Sequence, residues 1–211
     1  MKEEVKKVIE EERVNPKKTY QKPFLNLLTG HVGSGKSLVS QILSKELNLY
    51  LISGDYIRNI IKKLYSEINI RTEEVKNTNN AICLEEMKYC IDNKYSIILD
   101  RSVSNKKTLS VISSKIELPI ILIKLLSSDK ENIKRVKDRQ KKEEIIIPHY
   151  GHQEAKSNVV TEEEYNIIKE NKVYDLDDDI YNYFINTNQS LDNLKKCIEN
   201  IVNDIKNKYI K

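Results

Sequence analysis

Gly30-His-Val-Gly-Ser-Gly-Lys-Ser37 decides the reading of this chain. The octapeptide fits the pattern G-x-x-x-x-G-K-[S/T] without a mismatch, and each position has a physical reason. Glycines let the backbone wrap until consecutive N–H groups point inward as a nest for anionic oxygens. A helix beginning at Gly35 adds its positive N-terminal end. Lys36 supplies a point charge for β- and γ-phosphates, and the Ser37 hydroxyl suits Mg²⁺. Gly30, His31, Val32, Gly33, Ser34, Gly35, Lys36, Ser37 and Leu38 are therefore the expected nucleotide-binding residues, with Ser37 a metal ligand. Only five glycines occur in the chain, and three of them lie in this loop, so backbone freedom is concentrated where phosphates would sit.

Strand-like and helix-like runs alternate outward from the loop. Phe24 to Leu28 reads as a strand entering it and Lys36 to Leu47 as a helix leaving it. Leu49 to Ile52 is a second strand, followed by a helix from about Tyr56 to Ile68. Thr72 can cap a long helix to about Asn93. Tyr95 to Leu99 is an almost wholly apolar strand, as expected when both faces are covered. A helix over about 105–116 and a strand from Ile120 to Leu125 come next, and Ser128-Asp-Lys-Glu131 has capping-box spacing for a basic helix to about Lys142. Tyr181 to Asn186 is the last strand. Ser190 caps a terminal helix with Leu191, Leu194, Ile198, Ile201 and Ile205 on one face. The alternation predicts an α/β protein, a three-layer αβα fold around a five-stranded parallel sheet.

Two segments break the rhythm. Residues 1–22 read as a charged, helix-like arm interrupted at Asn15-Pro16, a solvated appendage to a domain spanning 23–211. Residues 143–160 hold Pro148, His149, Gly151 and His152 without a clear period, and a long loop between helices suggests a helical lid over about 135–165. His149 and His152 have a metal-like spacing but no third ligand nearby, so a lid contact or plain surface is the expectation.

At 211 residues, with 39% hydrophobic and 32% charged side chains, the chain can bury a core, and its aliphatic runs exclude disorder throughout. No apolar stretch nears the roughly 18 residues that span a bilayer. Met1-Lys-Glu-Glu-Val-Lys-Lys lacks a signal-peptide core, so a cytoplasmic protein without a membrane partner is expected. The formal charge of +4 comes from 36 basic and 32 acidic residues. That balance leaves nucleic acid possible without indicating it, and it suits anionic substrates. Cys83, Cys90 and Cys197 have no metal-ligand spacing; Cys83 and Cys90, seven apart, are expected as small buried hydrophobes on one helical face.

A motor or switch is disfavoured by inventory. There is no N-K-x-D and no acidic-x-x-Gly switch for a GTPase, and Gly54 and Gly151 are the only glycines left for an ABC-type signature. From residue 24 to 205 the chain resembles the small P-loop kinases of the polynucleotide kinase, zeta toxin and gluconate kinase type, in the AAA-like kinase group. It is more distantly similar to nucleoside monophosphate kinases. The resemblance implies ATP and Mg²⁺ as cofactors and transfer of the γ-phosphoryl group to an acceptor hydroxyl. Ser53-Gly-Asp55-Tyr-Ile-Arg58 matches an Asp-x-x-Arg that in such kinases makes Asp55 the general base and Arg58 a contact to an acceptor phosphate. The same residues also fit a helix N-cap and a solvated arginine. Ile97-Ile-Leu-Asp100 resembles a Walker B strand with Asp100 on the metal, followed by Arg101 as an acceptor contact. Arg135 and Arg139, four apart, resemble lid arginines that stabilise the transferring phosphoryl group, alongside Lys36. A basic solvated face is the alternative, and Arg139, nearer the loop, is the better lid candidate of the two.

Tyr183 to Thr187 resembles the loop flanking adenine. The implied acceptor bears its own phosphate, such as a polynucleotide 5′ end, a nucleotide or a nucleotide sugar. A nucleoside monophosphate or small-metabolite kinase is the alternative within the class. A non-catalytic ATP-binding switch is the alternative outside it.

Overall fold

The computed structural model describes residues 1–141, 145–146, 155–156, 160–171 and 174–209. In chain order the elements are α1 (Lys2–Glu12), β1 (Leu25–Thr29), α2 (Lys36–Leu47), β2 (Tyr50–Ser53), α3 (Gly54–Leu64), α4 (Glu73–Asp92), β3 (Ile97–Ser102) and α5 (Lys106–Lys115). They continue with β4 (Ile120–Leu126), α6 (Asp129–Lys141), β5 (Ile145–Ile146), β6 (Ala155–Lys156), α7 (Glu162–Asn171), a short 3₁₀ turn (Asp178–Ile180), β7 (Tyr183–Asn186) and α8 (Leu191–Tyr209). The expected caps form: Thr72 Oγ1 accepts from the Val75 amide, Ser128 Oγ from Glu131 and Ser190 Oγ from Asn193.

Five strands make one parallel sheet in the order β2-β3-β1-β4-β7. Side chains alternate across it with period two. Leu25, Leu27, Tyr50, Ile52, Ile97, Leu99 and Leu122 pack with residues of α1, α3, α4 and α5. Leu28, Leu51, Ile98, Ile121, Ile123, Leu125 and Ile185 pack with α2 and α8 on the other face. This is the expected three-layer αβα architecture of the P-loop NTPases. On α8, Leu194, Ile198, Ile201, Val202 and Ile205 are buried, whereas Leu191 opens the helix and is exposed. Cys83 and Cys90 are buried on α4 as expected.

The N-terminal arm corrects its sequence reading. It is not a solvated appendage. Val5 and Ile9, four apart, are buried in the core cluster beside Tyr56, Ile57 and Ile60 of α3. The mostly charged composition of 1–22 conceals that two-residue stripe. The irregular stretch at 143–160, with His149 and His152, lies outside the described residues except for β5, β6 and Val160. Those strands pair antiparallel, and the backbone of β6 runs beside α3. Among the described residues no helix is long and apolar enough to cross a membrane.

Candidate active site

The loop after β1 is shaped by its glycines. Gly33 has φ +79°, and a Cβ there would lie 2.6 Å from the Asn132 carbonyl oxygen at the start of α6. Gly35 has φ +89° and serves as the N-cap of α2. A side chain at either position would be strained. The Lys36 ammonium curls into the loop, donating to the carbonyls of Gly30 at 3.0 Å and His31 at 2.7 Å. The Ser34 amide donates to His31 O at 3.1 Å and tightens the turn. Leu38, one position beyond Ser37, is 42% exposed on α2.

Beside the loop the pairing of β1 with β3 slips. Leu27 faces Leu99, but Leu28 faces Ser102, so Asp100 and Arg101 have no partner on β1. On its other side Asp100 stays in register with Ser53 of β2. A slip of this kind redirects side chains at a strand end. Asp100 meets the Ser37 hydroxyl, which hydrogen-bonds it, and feels the charges of Lys36 and Arg139. Burial, and then the neighbouring Asp55 carboxylate, still push its pKa up to about 6. Lys36, Ser37, Asp55, Asp100 and Arg139 are thus assembled at the carboxyl edge of the sheet, where parallel α/β sheets bind ligands. The hydroxyl of Ser37 and the carboxylate of Asp100 are hard oxygen donors side by side, a set that could hold Mg²⁺ together with phosphate oxygens.

The second half of the cleft is built by α3 and α4. The helix starts at Gly54, earlier than expected, because Ser53 Oγ accepts from the Tyr56 amide and takes the N-cap. Asp55 is therefore no cap. Its carboxylate accepts from Arg58 Nη1 at 2.6 Å, and both side chains remain about one-third exposed. Asn79 of α4 donates to Gly54 O at 2.7 Å, and Arg101 donates to Asn80 Oδ1. Between them lies Cys83, whose thiol is pushed up by burial against the opposing pull of Arg101 and Arg58. Two guanidinium groups from different elements thus converge on one face of α4.

The two arginines of α6 have different surroundings. Arg135 Nη1 donates to Gly33 O and to Thr187 Oγ1, each at 3.2 Å, while Nη2 donates to Thr187 O. It ties the phosphate-binding loop to the turn after β7. Arg139, one helical turn later, lies near enough for its charge to act on Asp100.

Sequence reasoning missed several contributors. Asn79 and Asn80 could have been suspected, because adjacent asparagines are poor residues for a helix interior. Tyr174 carried no signal; its ring lies 4.3 Å from that of His31, and its hydroxyl reaches Gly30 O at 3.5 Å. Thr187 reads from sequence only as part of the loop after the last strand; its contact with Arg135 is one that no local pattern reveals.

Comparison with solved structures places this geometry among known folds. A candidate kinase from Chloroflexus aurantiacus is 17% identical, with 89% of this chain and 98% of that chain aligned at a TM-score of 0.65. A sugar kinase from Janibacter sp. HTCC2649 is 17% identical over 86% of this chain and 93% of its own, with a TM-score of 0.56. A gluconokinase from Sinorhizobium meliloti is 12% identical over 89% and 97%, with a TM-score of 0.54. At these identities the likeness is one of fold. No curated protein matches the sequence. The model of the AAA domain family matches residues 27–158, which include the glycine loop, Asp55, Asp100 and both α6 arginines, and the chain belongs to that family.

Proposed function

We propose that the protein is a phosphotransferase that moves the γ-phosphoryl group of ATP to the hydroxyl of an anion-bearing acceptor. The observation that carries this reading is the meeting of Lys36, Ser37, Asp55, Asp100 and Arg139 at one sheet edge. A module that only binds nucleotide needs no second carboxylate facing the first.

ATP would supply the phosphoryl group, and Mg²⁺, held by Ser37 and Asp100, would neutralise charge on it. Lys36 leaves its loop carbonyls for the β- and γ-phosphates. Asp55 accepts the proton of the acceptor hydroxyl as that oxygen bonds to phosphorus and the bond to ADP breaks. Arg58 and Arg101 bind the acceptor's anionic group, and Arg139 steadies the charge in transit. Arg135 keeps the loop seated against the turn after β7. The acceptor classes are those implied from sequence: a polynucleotide 5′ end, a nucleotide or a nucleotide sugar.

The test is transfer from radiolabelled ATP to a panel holding a 5′-hydroxyl oligonucleotide, nucleoside monophosphates, nucleotide sugars and gluconate. Labelling of an anionic acceptor, lost in Lys36→Ala, supports the proposal. ATP binding with no labelled product would leave the switch reading in its place.

A further inference from the structure

Two consecutive residues of the N-terminal arm reach both helices of the acceptor half. Glu12 Oε2 accepts from the Tyr56 hydroxyl on α3 at 2.6 Å. Arg13 Nη2 lies 2.7 Å from Glu86 Oε1 on α4, and its Nε donates to the Tyr50 hydroxyl of β2 at 3.2 Å. Tyr50 in turn donates to Glu86 Oε2 at 2.6 Å. The Arg13 guanidinium also stacks 3.7 Å from the ring centre of Tyr89. This network is largely out of water, with the side chains of Arg13 and Glu86 13% and 7% exposed. It lies directly behind the cleft. Tyr56 follows Asp55 in sequence, and Ile57, Ile60 and Ile61 complete the buried face of the helix whose open face carries Asp55 and Arg58.

We infer that Glu12 and Arg13 are positioning residues for phosphoryl transfer: they lock α3 and α4 together from behind and so fix Asp55 and Arg58 against the acceptor. The inference rests on the kinase reading for its catalytic consequence. Its mechanical part does not depend on it. A helix held by one buried face can rock about its axis, and the Glu12–Tyr56 bond stops that motion one residue from the base. Small misplacements of a catalytic group cost rate steeply, on the order of 10²-fold for about 1 Å.

The decisive variants are Tyr56→Phe and Glu12→Ala in the full chain. Arg13→Ala is less informative because it leaves Glu86 buried without its cation. Amide hydrogen exchange along α3 should rise on the order of 10-fold in both variants, with exchange along α2 and affinity for Mg·ATP unchanged. Transfer to the anionic acceptor identified by the panel should fall by roughly 5–50-fold in kcat/KM. Glu12→Gln, which still accepts the Tyr56 hydrogen bond, should retain most of the rate. The same Tyr56→Phe change placed in an Asp55→Asn background should have almost no further effect, since residues acting through one another are not additive. Full additivity in that double variant, or unaltered exchange along α3, overturns the inference. Should the wild type label no acceptor, the kinase reading fails, and the exchange experiment alone still decides whether the arm holds α3.

Discussion

At Lys36 the part-buried ammonium is held by the loop's own carbonyls, which keep the charge beside the loop. Lys36→Ala should abolish transfer and leave the thermal melt of the free protein nearly unchanged, because its bonds to Gly30 O, His31 O and Ser34 Oγ are made within one short loop. Asp55, the proposed general base, is tested differently. Asp55→Asn keeps the shape and can still accept from Arg58, but it cannot take a proton. The expected loss is on the order of 10²–10⁴ in kcat with Mg·ATP affinity unchanged, read from steady-state rates and calorimetry. Arg58→Ala should instead raise the acceptor KM, and do so only for acceptors bearing an anion; an equal rise for neutral acceptors would remove Arg58 from the anion subsite.

Between elements, the seating of α6 on the glycine loop leaves no room for error. A methyl at residue 33 meets the Asn132 carbonyl at 2.6 Å and requires φ +79° of a non-glycine residue. Gly33→Ala should destabilise the fold by about 2–4 kcal/mol and weaken nucleotide binding together. The arm makes the second prediction at this scale. Ile9 is 3% exposed, so Ile9→Ala should cost about 2–5 kcal/mol in urea denaturation. A solvated helix would lose less than about 0.5 kcal/mol. Arg13→Ala, which strands Glu86, should cost about 3–5 kcal/mol, and adding Glu86→Gln to it should recover part of the loss.

For the whole molecule, ligand binding and stability are linked. Mg·ATP at a hundredfold its Kd should stabilise the native state by about 2.7 kcal/mol, visible as a rise in Tm that Lys36→Ala suppresses. Much of the architecture was legible before any coordinates. The spacing of Gly30, Gly35, Lys36 and Ser37 specifies backbone geometry and charge within eight residues, and that geometry is a local property of those residue types. The alternation of Leu25, Leu27 and Leu28, or of Ile97, Ile98 and Leu99, likewise states that both faces of a strand are covered. Helix starts at Thr72, Ser128 and Ser190 were readable because a cap bonds an amide only three residues away. Other features needed the folded chain. The slip between Leu27 and Leu28 that frees Asp100 depends on where two strands separated by some seventy residues come into register. The choice of Gly33 and Thr187 as partners for Arg135, and of Tyr56 and Glu86 for the arm, depends on which surfaces meet. Sequence alone therefore determined the phosphate-binding loop, the strand–helix order and the layered class, since those follow from short-range sterics and periodicity. Tertiary structure decided that a charged arm contributes to the core and that Arg135 joins the glycine loop to Thr187, because burial and pairing are set by distant residues brought into contact.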